Sequence, residues 1–70
     1  MTPQQLKQAR LDAGLSQDDF ARELAKYGRT TQYSVRRWES LESFTPTVEA
    51  NVRLRVEAWQ AARNQQGGSK

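Results

Sequence analysis

Apolar residues recur along this chain at helical spacing, in stretches separated by short polar breaks. Leu6, Ala9 and Ala13 share one face of a 3.6-residue helix and predict a first helix ending near Ala13. Phe20, Ala21, Leu24 and Tyr27 form a second stripe, predicting a helix that lasts to Tyr27 before Gly28 breaks it. The third pattern is short. Val35 and Trp38 lie on one side of a helix that starts near Gln32, which leaves Gln32, Tyr33, Arg36 and Arg37 to project outward. A polar loop from Ser40 to Thr45 follows, with Leu41 and Phe44 as apolar anchors. The last pattern is the longest: Val48, Val52, Val56, Trp59 and Ala62 fall on one face, while Leu54, Ala58 and Ala61 form a second stripe roughly a third of a turn away. That second stripe either serves a partner subunit or reflects only the helix propensity of alanine.

Punctuation between the stripes agrees with this reading. Thr2-Pro3-Gln4-Gln5 supplies a hydroxyl N-cap, a proline at the first helical position and a glutamine at the third to close a capping box. Gly14 suits the left-handed residue that ends a helix, and Leu15 then turns back to the core. Ser16 is the next N-cap, with Asp19 as a shortened capping-box partner; Asp18 and Asp19 both suit the positive end of a helix. Gly28-Arg29-Thr30 reads as a turn, Thr31 as the cap of the third helix and Thr45-Pro46 as the start of the last. Asn64 to Lys70 has the composition of a disordered end. The expectation is an all-α chain with one domain over residues 1–63 and a tail over 64–70.

Seventy residues of which 36% are hydrophobic allow one small domain with a modest core, which dimerisation would help to stabilise. Cysteine and histidine are absent, which removes disulfides, thiolate and imidazole chemistry and the usual zinc ligands, so neither a metal nor another cofactor is expected. No apolar run reaches the length of a membrane span and Met1 to Gln5 lacks the apolar core of a signal peptide, so a cytoplasmic location without a membrane partner is expected. Asp18 and Asp19 are explained by the helix dipole, no other group is placed as a nucleophile or base, and Gly67-Gly68 follows no strand; an enzyme is not expected.

The net charge of +3 is compatible with a polyanionic partner. Its distribution says more: from Arg22 to Arg37 the basic residues are Arg22, Lys26, Arg29, Arg36 and Arg37, against the single acid Glu23. Glutamine and arginine are the side chains that best read adenine and guanine edges bidentately in a major groove. The outward face of the third helix is therefore a candidate base-reading surface, set against the plainer alternative of a solvated polar face.

Gly14-Leu15, Ser16-Gln17, Phe20-Ala21, Leu24 and Val35-Arg36-Arg37-Trp38-Glu39 together resemble the Cro/repressor, or XRE-type, helix-turn-helix family over about residues 3 to 40. Thr30-Thr31-Gln32-Tyr33-Ser34 is similar to the start of the recognition helix in lambdoid phage repressors. The resemblance implies a compact lambda-repressor-like domain of four to five helices, here with a long C-terminal helix. It also implies a homodimeric regulator of transcription bound to palindromic operator DNA. On matched positions it makes Gln17 a phosphate contact and Gln32 the leading base reader, followed by Tyr33, Ser34 and Arg37, with Thr31 near a phosphate or thymine methyl. Arg36 is implied at a base or on the rim, and Lys26 and Arg29 as nonspecific electrostatic contacts. Arg10 and Glu39 stand where the family places a buried structural ion pair, and Ala21 where only a small side chain permits close helix crossing.

Three departures from the family pattern matter. Ala25 stands where a glycine is common and the following connection is longer, which predicts a shifted angle for the third helix. Leu41 to Thr45 lacks the basic residues that family members often place on the backbone. One long helix replaces two short ones at the C-terminus, so the dimer geometry does not carry over, and Leu54, Ala58 and Ala61 become the candidate interface.

The expected function is thus a sequence-specific repressor of phage or mobile-element type, for which an anti-CRISPR-associated regulator is one subtype, blocking or positioning polymerase according to operator placement. One alternative is an antitoxin that autoregulates its operon and holds a toxin with its C-terminal helix; another is a helical protein-interaction module.

Overall fold

The computed structural model describes residues 1–68, with side chains as far as Asn64. Four helices and no strand make up the described residues: α1 (Pro3–Asp12), α2 (Gln17–Leu24), α3 (Gln32–Ser40) and α4 (Pro46–Gly68). None of these helices is long and apolar enough to cross a membrane.

Local hydrogen bonds set the helix ends. Thr2 Oγ1 accepts from the Gln5 backbone N–H at 3.1 Å while the Thr2 N–H donates to Gln5 Oε1 at 2.9 Å, a closed capping box. At the other end Gly14 takes φ 71°, and the Gly14 and Leu15 N–H groups donate to the Leu11 and Arg10 carbonyls at 2.9 and 3.2 Å. Those two bonds are the Schellman arrangement, which satisfies carbonyls that the helix itself leaves without donors. Ser16 Oγ caps α2 by accepting from the Asp19 N–H at 3.0 Å. Asp19, read from the sequence as a shortened capping-box partner, returns no bond among the described residues: its side chain is one methylene shorter than that of glutamate. Thr31 caps α3 in the same way through the Ser34 N–H at 3.2 Å.

The core is built from every helix. Leu6, Phe20, Ala21, Leu24, Val35, Val52, Val56 and Trp59 are buried, and Ala9, Ala13, Leu15, Trp38, Phe44 and Val48 pack around them half-buried. α3 packs on both α2 and α1, and α4 docks on α2. The Phe20 and Trp59 rings meet edge to face, centroids 5.0 Å apart at 74°, a geometry favoured by the aromatic quadrupole.

Three further expectations fail. The second helix stops at Leu24, because the Lys26 and Tyr27 N–H groups donate to Glu23 and Leu24, three residues back; this tightening rotates Tyr27 out of the stripe, leaving it exposed. Leu41 is exposed, since the extended backbone that ends α3 there carries it off the core. The last helix continues through Asn64, Gln65 and Gln66 to Gly68, no breaker intervening before Gly67, so the expected tail is helical over 64–68; Ser69 and Lys70 lie outside the described residues.

Candidate nucleic-acid interface

α3 is held from behind. Arg10 of α1 donates through Nε and Nη2 to the two carboxylate oxygens of Glu39, at 2.7 and 3.0 Å, and through Nη1 to the Leu15 carbonyl at 3.0 Å. Both side chains are nearly buried, at 11% and 5% exposure. The hydrogen bond to Glu39 raises the Arg10 pKa above its ordinary value despite burial, which opposes the charged form. With Val35 buried and Trp38 half-buried on the same side, one flank of α3 is fixed against the rest of the molecule.

The opposite flank is open. Gln32, Tyr33, Arg36 and Arg37 are all exposed, Tyr33 to 71%, and together they cover an arc of about 140° at 100° per residue. Ser34 is half-buried; its Oγ lies 3.2 Å from Thr31 Oγ1, so these two hydroxyls engage each other at the start of the helix. Beside them lies a cleft of about 430 Å³ lined by Tyr33, Arg37, Trp38, Leu41 and Val48. It brings α3 together with the loop that follows it, and the helical spacing of the sequence gives no sign of it.

The structure sorts the cations. Arg22 pairs with Asp18 at 3.1 Å and Lys26 with Glu23 at 3.4 Å, both on exposed surface. Arg29, Arg36 and Arg37 are exposed and form no ion pair among the described residues. Within the basic run from Arg22 to Arg37, the cations without an ion pair are thus those on the approach to α3 and on its outer face.

Gln17 lies at the start of α2, beside the Arg10–Glu39 pair. Its side chain is half-buried and Nε2 donates to Glu39 Oε1 at 3.3 Å, so the amide extends the Arg10–Glu39 network. On α4, Leu54 is 66% exposed and Ala61 exposed, but Ala58 is half-buried, so the second stripe is narrower than its spacing predicts. Arg55, absent from the sequence-based candidates, lies across the α2–α3 connection at Gly28. No group of three or more acidic side chains among the described residues is placed to hold a metal ion. No protein-family model matches the chain, and no curated protein or solved structure matches it.

Proposed function

We propose that this protein is a lambda-repressor-like helix-turn-helix regulator of transcription that binds operator DNA through α3 in the major groove. The observation that carries the reading is the division of α3 into a flank locked by Val35 and the Arg10–Glu39 pair and a flank of Gln32, Tyr33, Arg36 and Arg37 left exposed. An amide and two unpaired guanidinium groups on one rigid arc are the donors and acceptors that base edges and phosphates require. Rigidity matters because bidentate readout tolerates little positional error, and α3 is tied to α1 through a fork of two hydrogen bonds. The apolar cleft floored by Trp38, Leu41 and Val48 offers a surface for thymine methyl groups beside those polar contacts.

The protein acts as a homodimeric repressor of phage or mobile-element type, with two copies of α3 entering successive grooves about 34 Å apart. Leu54 and Ala61 on α4 supply the exposed apolar surface for the second copy. No catalytic step is part of this reading.

Anisotropy of the purified protein on DNA from upstream of its own gene and on random duplex, across a salt series, tests it. A preference of about 10³-fold or more is the expected result. Equal and weak binding to both would overturn it.

A further inference from the structure

Gly28 has no positive φ, unlike Gly14, so backbone conformation does not demand glycine there. Contact does. A Cβ at position 28 would stand 2.7 Å from both Cζ and Nε of Arg55 and 2.8 Å from Nη2. The guanidinium of α4 thus lies flat against the backbone of the α2–α3 connection, where any larger residue would evict it.

Arg55 is poorly satisfied in that position. Nη1 donates to the Asn51 carbonyl of its own helix at 2.9 Å, but the buried Nε has no hydrogen-bond partner. Arg55 also forms no ion pair among the described residues. Nε is sealed from solvent, but Nη2 is not and forms no hydrogen bond among the described residues, which leaves an anion a donor to meet at the rim of a half-buried cation. Its surroundings favour one. Arg29, next in the chain to Gly28, is exposed and likewise unpaired, and Thr30 Oγ1 donates to the Gly28 carbonyl at 2.7 Å, so that oxygen is already engaged.

We propose that Arg55, Gly28 and Arg29 form an anion site that grips a backbone phosphate of the DNA at the edge of the groove entered by α3. This rests on the DNA reading above. Gly28 precedes Gln32 by four residues, at most about 14 Å of chain, comparable to the roughly 12 Å width of the groove whose walls carry the phosphates. A phosphate oxygen would accept from Nη2, which the planar guanidinium aims in a fixed direction that a lysine ammonium lacks. Arg55 thereby gives the C-terminal helix a part in the interface in addition to carrying the second copy.

Two measurements test this separately from the DNA reading. The first follows binding of wild type, Arg55→Gln and Arg55→Lys to duplex DNA across a salt series. Arg55→Gln should reduce the slope of log K against log salt by about 0.9 on operator and random DNA alike, and Arg55→Lys should retain most of the slope. A wild-type slope in Arg55→Gln, with or without a lower melting temperature, would make Arg55 only a brace for the turn and overturn the site. The second titrates inorganic phosphate against the wild-type protein without DNA, following the Gly28 amide and the Arg55 Nε–H by NMR. Saturable shifts at both signals, lost in Arg55→Gln, are expected; unmoved signals would also overturn the site. Shifts with phosphate alongside a wild type that binds no DNA would retain the anion site but refute DNA as the source of its phosphate.

Discussion

Arg10 and Glu39, 29 residues apart, share two charge-assisted hydrogen bonds that join α1 to the last turn of α3. Gln17 adds a third contact from α2 to the same carboxylate. Glu39→Gln leaves Arg10 buried and uncompensated, and should cost about 3–5 kcal/mol in urea or thermal unfolding. Replacing both residues, Arg10→Met with Glu39→Leu, should cost much less than the two single changes together, because no charge is then stranded. A loss equal to the sum would mean that the two residues act independently.

Ala21 is 2% exposed where α2 crosses its neighbours. Ala21→Leu has no space for three added carbons and should lower stability by about 1–3 kcal/mol through overpacking, read from the thermal midpoint. A midpoint unchanged or raised would show room at the crossing that the packing does not reveal.

Arg37 and Arg29 should separate by function. Arg37→Ala is expected to lose roughly 1–3 kcal/mol on the operator and to relax specificity at one base, whereas Arg29→Ala weakens operator and random DNA alike. Competition binding against a library of operator variants distinguishes the two. Equal losses on all sequences for Arg37→Ala would remove it as a base reader.

Leu54 is the large apolar side chain most exposed on α4. Leu54→Glu places a charge in the proposed dimer contact and should shift the protein to monomer in sedimentation velocity, with no large change in helical content. Persistence of a dimer would put the interface on another face.

Acid should loosen the junction of the N-terminus with α4. Glu49 accepts from the Met1 ammonium at 2.7 Å, and that bond, with a further contribution from Arg53, holds its pKa below the ordinary value of 4.5. A carboxyl with a lowered folded-state pKa contributes stability that is fully present above its unfolded pKa and is lost as pH falls through the folded value. Stability should therefore decline from near pH 4.5 downward, and Glu49→Gln should flatten part of that decline in unfolding curves taken from pH 6 to 3. An identical decline in the variant would assign the acid sensitivity to other carboxylates.

The helix starts and the end of α1 were legible because their bonds are local. A cap joins residues three apart, and the Schellman bonds of Gly14 and Leu15 reach back only to Leu11 and Arg10. The inward stripe of α4 was equally legible, since Val52, Val56 and Trp59 bury wherever that helix docks. Tyr27 was misread because periodicity cannot reveal a helix that tightens in its last turn, and Leu41 because a polar loop gives no sign of the direction its backbone takes.

The sequence by itself determined where the four helices begin, which side of each is apolar, and that α3 turns Gln32, Tyr33, Arg36 and Arg37 outward. Those properties depend on residues within a turn or two of one another, and the order of the chain specifies them directly. Tertiary structure alone decided that Gln17 turns inward to Glu39 and that Arg55 lies where a side chain at Gly28 would stand. Each of these depends on how separate helices are placed against one another, and that placement follows from the packing of the whole core around Phe20 and Trp59.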